Sequence, residues 1–194
     1  MNHAYAKARA AADELLQHAP DAVQGMEIRG RHLILMMPRS GTHELTAWKL
    51  RRQLDQQVAD GLAAHTGGGV EDAALGILCS PDLIVMPVAA MDTADGFHPQ
   101  DLLLVGEIVA PSAPIDEYVW KTRGYGATGI PLYVLVDPRE GTVAVMSDPG
   151  PGSDGEPRYR ARHDYAFGDT VAIGPWTIDT AELPRYGARH GLLT

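Results

Sequence analysis

The chain has 194 residues, a length typical of one domain, and its 45% hydrophobic and 21% charged residues exclude wholesale disorder. Its formal net charge of -9 is the wrong sign for a protein that wraps nucleic acid electrostatically. The single cysteine, Cys79, excludes an internal disulfide and a cysteine zinc cage, and it favours a cytoplasmic location. The sequence has no apolar run of the roughly 18 residues that a membrane span needs, so we expect no membrane partner.

The N-terminal part predicts a helix, a hairpin and a second helix. Residues 1–20 form an alanine-rich amphipathic segment, which we interpret as a peripheral helical extension. Two short apolar runs within 26–37 flank a glycine turn, which is typical of a β-hairpin. From a cap at Ser40 or Thr42, apolar residues follow a helical period to about Ala64.

The rest of the chain predicts mainly buried strands and one further helix. The apolar runs are short and bounded by Pro, Gly or Asp, which indicates strands covered on both faces of a sheet. A helix is expected after Pro114, weak or short because Gly124 and Gly126 each cost about 1 kcal/mol. The tract 148–157 is too rich in Gly and Pro to pack and predicts a flexible hairpin tip. Strands are expected at 75–79, 82–86, 102–109, 131–138, 142–146, 159–165 and 170–173, after a loop at 65–69.

This order of elements predicts an α/β or α+β fold, with a mixed central sheet flanked by helices and a strand, helix, strand unit at 102–136. We expect a single domain at 21–185, with a C-terminal tail at 186–194.

All of the excess negative charge lies in residues 61–120, which hold nine acidic residues and no Lys or Arg. Two of the acids, Asp82 and Glu107, fall within apolar strand segments, where an ionised carboxylate needs a partner. Singly, Asp82 could cap a strand end and Glu107 could point outward at a sheet edge. Together, without a basic residue in the segment, they favour a divalent cation such as Mg²⁺, which prefers oxygen ligands.

The helix predicted after Pro114 carries the next basic residue. Glu117, Lys121 and Tyr125 recur every four residues and therefore share one helical face. Alone, Glu117 and Lys121 would be an ordinary surface ion pair. Beside two metal-binding carboxylates, a single cation could orient an attacking water and offset transition-state charge in phosphodiester hydrolysis.

These residues resemble the bacterial Uma-type restriction endonuclease family of the PD-(D/E)XK nuclease superfamily. The resemblance covers roughly residues 20–185, and four separate blocks occur in order. It extends upstream to Glu27-Ile28-Arg29-Gly30, Met37-Pro38 and His43. The four blocks are Pro81-Asp82, Glu107-Ile108-Val109-Ala110-Pro111-Ser112, Lys121-xxx-Tyr125 and the run 129–138.

The resemblance implies a restriction-endonuclease-like fold and an endonuclease acting on nucleic acid, with DNA as the expected substrate. It implies Asp82 and Glu107 as ligands of Mg²⁺ or Mn²⁺, to which our hypothesis adds the backbone carbonyl of Ile108, and Lys121 as the catalytic lysine. The sequence departs from the superfamily at Val109, where a lysine is usual, and the helix supplies Lys121 instead. Ala110 also stands where the family usually has serine.

Further candidate residues each have an ordinary alternative. His43 could meet phosphate or move a proton, or it could be a surface or capping residue at a helix start. Glu27 could reach the metal site or simply lie on a strand, and Glu117 and Tyr125 would support Lys121. Arg39, Lys49 and Arg52 could contact nucleic acid or form a solvated face.

A different function class also fits the sequence, namely an inactive protein that uses the nuclease fold for binding or dimerisation. The acidic balance and Ala110 favour this alternative, whereas the intact set of Asp82, Glu107 and Lys121 favours the enzyme. A homodimer is compatible with both functions, because cutting two strands requires two sites.

Overall fold

The computed structural model describes residues 2–187, which contain three α-helices, two short 3-10 helices (Val88–Met91 and Pro99–Asp101) and twelve strands. The α-helices are α1 (His3–Gln17), α2 (Gly41–Asp55) and α3 (Ile115–Thr128). The first six strands are β1 (Gly25–Arg29), β2 (His32–Met36), β3 (Leu62–His65), β4 (Val70–Asp72), β5 (Ile77–Cys79) and β6 (Leu83–Pro87). The others are β7 (Leu104–Ile108), β8 (Leu132–Asp137), β9 (Thr142–Pro151), β10 (Pro157–Ala166), β11 (Thr170–Ile173) and β12 (Trp176–Asp179).

A mixed six-stranded sheet forms the centre of the fold, with the strand order β10-β9-β8-β7-β6-β3. Within it, β7 and β8 are parallel and α3 connects them, which confirms the predicted strand, helix, strand unit. A four-stranded sheet with the order β2-β1-β5-β4 and the hairpin β11-β12 complete the architecture. The predicted mixed α+β fold, with a sheet flanked by helices, is therefore confirmed.

The central sheet is covered on both faces, and alternate residues of its strands enter different core layers. On β6, Leu83 and Val85 pack toward α2 and the β11-β12 hairpin, whereas Ile84 and Met86 pack toward α3. On β7, Leu104 and Ile108 lie in the α2 layer and Val105 lies in the α3 layer. The prediction of strands buried on both faces is correct for β6 and β7, and this alternation directs Glu107 toward α3.

Helix α2 ends earlier than the sequence pattern indicates. It ends at Asp55, not near Ala64, and residues 62–65 form β3 instead. The reason is tertiary, because β3 pairs with β6 from Leu62↔Pro87 to His65↔Ile84 and completes the sheet edge. The predicted loop at 65–69 correspondingly begins one residue later.

The tract 148–157 is also more ordered than its composition predicts. Strand β9 continues to Pro151 and pairs with β10, which begins at Pro157. Pairing between β8 and β9 ends at Leu132↔Ser147, so the following residues of β9 have a neighbour on one side only. Proline, which has no backbone N–H group to donate, is tolerated in such a segment. The short strands β4 and β12 are not predicted by the sequence pattern.

Helix α1 packs on the four-stranded sheet, as expected for a peripheral helix. Its buried residues Tyr5 and Ala12 contact a cluster with Met26, Ile28 and Leu78. Within residues 2–187, no helix combines the length and the apolar character that crossing a membrane requires. The division into an extension, one domain and a tail stays a prediction.

Helix α3 is full length despite its two glycines, and the two differ in their surroundings. A Cβ on Gly126 would lie 3.1 Å from the Cα and carbonyl carbon of Arg158 on β10. A Cβ on Gly124 would meet only side-chain atoms of Ile77 and Trp120, at 3.7 Å or more. Gly126 therefore permits α3 to approach the backbone of β10, whereas Gly124 has no such role.

We expect Gly124→Ala to raise the free energy of unfolding by about 1 kcal/mol, because alanine is the better helix former and its methyl group fits. Gly126→Ala should lower the free energy of unfolding by about 1 kcal/mol. The cost of overpacking its methyl group against the backbone of β10 should exceed the gain from the better helix former. Urea unfolding of the two variants provides the measurement. Equal changes in the free energy of unfolding of the two variants would contradict the close approach of α3 to β10 at Gly126.

Candidate functional site

Asp82 and Glu107 are brought together by two neighbouring antiparallel strands. Leu83 pairs with Gly106, so Asp82 lies beside Glu107 at the end of this ladder. The backbone N–H of Asp82 donates to the carbonyl of Gly106 at 3.0 Å. Its Oδ2 accepts a hydrogen bond of 2.7 Å from the N–H of Ile108. The strand register thus fixes Oδ2 of Asp82, and the other carboxylate oxygen, Oδ1, faces α2.

Glu107 points toward α3, which supplies both of its side-chain partners. Lys121 donates from Nζ to Oε2 at 2.9 Å, and the Tyr125 hydroxyl donates to Oε1 at 2.6 Å. All three side chains are buried. The shared helical face that the spacing predicts therefore faces the strand with Glu107 and not the solvent.

Glu27 brings the four-stranded sheet into the same site. Its carboxylate is fully buried, and Oε1 lies 3.2 Å from Lys121 Nζ. The N–H of Ser80 donates to Oε1 at 3.1 Å, and Arg29 donates to Oε2 at 3.0 Å. Glu117 completes the group, with Oε1 3.7 Å from Lys121 Nζ. Lys121 is therefore surrounded by the three carboxylates of Glu27, Glu107 and Glu117.

Asp82 faces the N-terminal end of α2 with its second oxygen. Oδ1 lies 2.7 Å from Arg39 Nη2 and 3.0 Å from His43 Nε2. Among the described residues, neither contact is aligned as a hydrogen bond, so Oδ1 and Nε2 are buried atoms with unsatisfied hydrogen-bonding capacity. His43 is 4% exposed, and its backbone N–H donates to the helix cap Ser40. His43 is thus a buried residue of the site and not a surface residue.

The carboxylates of the site titrate differently because their surroundings differ. Burial, together with the charges of Asp82 and Glu27, raises the pKa of Glu107 to about 7 against the opposing effect of Lys121. Burial also raises the pKa of Asp82, but His43, Arg39 and the N–H of Ile108 outweigh it and the net pKa is lowered.

Lys121 remains an ammonium ion in this environment. Burial alone would lower the pKa of Lys121, but the charges of Glu107 and Glu27 outweigh burial and raise it well above its usual value. Burial likewise opposes ionisation of Glu27, yet Lys121, Ser80 and Arg29 hold the pKa of Glu27 below its usual value. The site therefore combines a permanent cation with an excess of carboxylates.

A divalent cation fits this donor set. Asp82, Glu107 and Ile108 line an open cleft of about 460 Å³, together with His43 and Lys121. Within residues 2–187, no three His, Cys, Asp or Glu side chains form a complete metal cage. Mg²⁺ needs only one or two protein carboxylates, because waters complete its octahedron. The unsatisfied Oδ1 of Asp82 and the raised pKa of Glu107 both indicate room for a further positive charge.

Of the three predicted nucleic-acid contacts, one lies in the cleft and two lie elsewhere. Arg39 lines the cleft beside Asp82 and is partly exposed. Lys49 donates to the backbone carbonyl of Glu182 at 2.7 Å, and Arg52 stacks on Trp48. These last residues line a separate groove, since they lie farther along α2 than its cleft-facing N-terminus. Contacts of Lys49 and Arg52 with nucleic acid stay a prediction.

The structure adds residues that the sequence pattern did not select. Arg29 bridges Glu27 and Glu117, and its alternation with Glu27 along β1 is the one signal that could have indicated it. The Tyr118 hydroxyl accepts from the N–H of Ala110 at 3.0 Å and lies 3.5 Å from the carbonyl of Ile108. The backbone N–H of Ala110 therefore has a hydrogen-bond partner, although its side chain lacks the hydroxyl group of serine.

Comparison with known proteins finds a family model that matches this chain and solved structures that are similar to it. The model of the Uma2 family, described as "Putative restriction endonuclease", matches residues 12–175. A search of curated proteins finds no match. Among solved structures, the chain is similar to a "putative nuclease belonging to DUF820 from Anabaena variabilis ATCC 29413", with a TM-score of 0.65 and 15% identity. The alignment covers 89% of this chain and 96% of that one, which establishes a shared fold.

Replacement of Lys121 tests the electrostatic structure of the site. We expect Lys121→Met to lower the free energy of unfolding by about 3 kcal/mol, because it leaves the buried carboxylates of Glu27 and Glu107 uncompensated. Lys7→Met, at an exposed position of α1, is the matched control and should have little effect. Urea unfolding measures both, and adding Glu107→Gln to Lys121→Met should recover part of the loss. Equal stability of Lys121→Met and Lys7→Met would contradict the assignment of Lys121 as the cation that compensates these carboxylates.

Proposed function

The chain belongs to the Uma2 family, and on that premise we propose that it is a Mg²⁺- or Mn²⁺-dependent endonuclease that hydrolyses phosphodiester bonds of nucleic acid, with DNA as substrate. The observation that carries this proposal is the convergence of Asp82, Glu107 and Lys121 in one open cleft. Two carboxylates and one cation at such a position suit hydrolysis of a phosphodiester.

The site residues divide into those that would hold a metal and those that act on the substrate. Asp82, Glu107 and the carbonyl of Ile108 would hold the cation, whose chemistry there is to activate a water and offset phosphoryl charge. Tyr125 restrains Glu107 through its hydrogen bond of 2.6 Å to Oε1. The residues that hold the metal are thus themselves held by strand register and by α3.

Lys121 would act as an electrostatic group and not as a general base. Its raised pKa keeps the ammonium ion protonated, so it has no lone pair with which to accept a proton. The Lys121 ammonium group lies 2.9 Å from Glu107 Oε2. From there it can orient the attacking water or stabilise the negative charge that develops on the phosphoryl oxygens. Arg39, partly exposed at the cleft, would contact the phosphate group.

The alternative of a non-catalytic binding or dimerisation protein keeps one specific observation in its favour. Both oxygens of Glu107 already have partners, Lys121 and Tyr125, so this carboxylate is satisfied without a metal. Ala110 also lacks the hydroxyl group that the family usually has in this cleft. The alternative and the enzyme differ in whether the cleft binds a divalent cation.

A nuclease assay on supercoiled, linear and single-stranded DNA with Mg²⁺ or Mn²⁺ tests the proposal. We expect cleavage by the wild type, its abolition by a chelator, and a loss of about 10²-fold or more in Asp82→Asn, Glu107→Gln and Lys121→Met. Asp60→Asn and Lys7→Met change exposed residues of the same types and should keep full activity. Equal activity in all six proteins would rule out this site.

Isothermal titration calorimetry separates the enzyme from the alternative. A metal-dependent nuclease should give saturable heat with Mg²⁺ or Mn²⁺ that Glu107→Gln removes. A protein without a cation site should give no saturable heat.

A further inference from the structure

A second pocket, of about 310 Å³, adjoins the cleft of the candidate site. Met36, Met37 and Arg39 line both cavities, so the cleft and this pocket border each other along these residues. The other walls of the pocket include Gln24 and the three glycines of the segment 67–69, and we call it the glycine pocket. A substrate that extends beyond the cleft on this side would enter the glycine pocket.

The glycine pocket differs from the cleft in the charge of its lining. Within the part of the chain that the structure describes, the pocket has one cation, Arg39, and no acidic side chain. The cleft, in contrast, is lined by the carboxylates of Asp82, Glu107 and Glu117. A chain with a net charge of -9 repels a polyanion over much of its surface. The glycine pocket therefore offers a nucleic-acid strand an approach to the cleft that passes no further carboxylate.

Arg39 stands at the border of the two cavities and keeps hydrogen-bonding capacity for a ligand. Its Nη2 makes both of its polar contacts, at 2.7 Å to Asp82 Oδ1 and at 3.2 Å to the carbonyl of Ser80. Among the described residues, Nη1 and Nε have no partner, and the side chain is 26% exposed. A guanidinium group binds a phosphate through two parallel N–H donors. Arg39 can therefore bind a phosphate while Nη2 stays beside Asp82.

The segment 67–69 adds polar backbone without side chains. Gly67 and Gly68 have φ angles of +81° and +95°, a region that glycine adopts without steric cost. Neither of their N–H groups donates to a backbone carbonyl of residues 2–187. Backbone N–H groups exposed at such turns are typical donors to anions. A Cβ on Gly67 would meet no atom within 4 Å, so its backbone is open to a ligand.

The separate groove along α2 is less suited to a polyanion. Its lining includes the cations Lys49 and Arg52, but also the acids Asp179 and Glu182. Lys49 Nζ lies 3.3 Å from Glu182 Oε2, and Arg52 stacks on Trp48. Both cations of this groove are thus already engaged, and the two carboxylates would repel an incoming phosphate.

We propose that the glycine pocket is the subsite for the DNA segment that flanks the scissile phosphate. Arg39, through Nη1 and Nε, and the N–H groups of Gly67 and Gly68 bind its phosphates. The inference rests on the proposed function and extends it, because it assigns the direction in which the substrate leaves the cleft. Contacts to phosphate fix the position of a strand but carry no sequence information, so this subsite adds affinity without sequence preference.

Charge changes at Gln24 test this assignment, because its exposed side chain lines the glycine pocket. Gln24→Glu introduces a carboxylate of nearly the same shape, and Gln24→Lys introduces a cation. Gln56→Glu is the matched control, because it makes the same change in net charge at the opposite end of α2 from the cleft. Fluorescence anisotropy of labelled single-stranded and duplex DNA measures binding, with Ca²⁺ as an oxygen-binding substitute for Mg²⁺.

We expect Gln24→Glu to weaken DNA binding about 3-fold, Gln24→Lys to strengthen it by a similar factor, and Gln56→Glu to bind as the wild type does. The salt dependence of binding should become shallower in Gln24→Glu, because fewer counterions are released. In cleavage assays with Mg²⁺, KM should change by the same factor as the affinity while kcat is kept, because the subsite does not contact the reacting atoms.

Gly67→Asp and Gly67→Asn provide a second comparison. Aspartate and asparagine both tolerate a positive φ, and a Cβ has room at this position, so the two variants share any backbone strain and differ in charge. Gly67→Asp should bind DNA about 3-fold more weakly than Gly67→Asn.

Wild-type affinity in Gln24→Glu would overturn the inference, and so would equal losses in Gln24→Glu and Gln56→Glu, which would reflect net charge alone. A loss confined to Gln56→Glu would assign the DNA to the groove along α2 instead. If the wild type cleaves DNA and none of the glycine-pocket variants differs from it, this inference fails and the proposed function stands. If the wild type neither binds nor cleaves DNA, the proposed function fails and the inference fails with it.

Discussion

The structure depends on compensation of buried carboxylates. Glu27 on β1, Glu107 on β7 and Asp82 immediately before β6 are almost completely removed from solvent. Ionised groups in such places are strongly destabilising unless cations and hydrogen-bond donors reach them. Lys121 from α3 and Arg39 from the segment before α2 supply the charge. Two sheets and two helices must therefore meet at one point for any of these groups to be accommodated.

The same requirement changes the meaning of the acidic composition. The segment 61–120 holds all of the excess negative charge, and part of this charge lies in the cleft as Asp82, Glu107 and Glu117. Outside the cleft, Glu71 accepts a hydrogen bond from Tyr5 and thereby ties α1 to the body. The acidic excess is thus partly a property of the site and partly a property of helix attachment. The partly exposed Arg39 gives the cleft a cation despite the net charge of the chain, as the proposed function requires.

Much of the fold could be predicted because local patterns and tertiary demands agree in it. The hairpin at 26–37, the start of α2 and the buried strands β6 and β7 follow from apolar runs, caps and turn residues that act over a few positions. The end of α2 could not be predicted, because residues 62–65 also continue the helical pattern until β6 offers them a partner. The strands around 148–157 were missed for the same reason, since proline and glycine mark an isolated loop but not a strand with one neighbour.

The sequence by itself determined the chemistry that is available, namely two acids within apolar strands and a lysine that shares a helical face with Tyr125. These features are local, because the cost of a charge in an apolar run and the spacing along a helix can both be read from adjacent residues. Only the tertiary structure decided which groups complete the site. Arg29 and Tyr186 are far from Asp82 in the chain. The contact of Arg29 with Glu27 arises from sheet register, and that of Tyr186 with His43 arises from the return of the C-terminal segment, and both depend on residues distant in sequence.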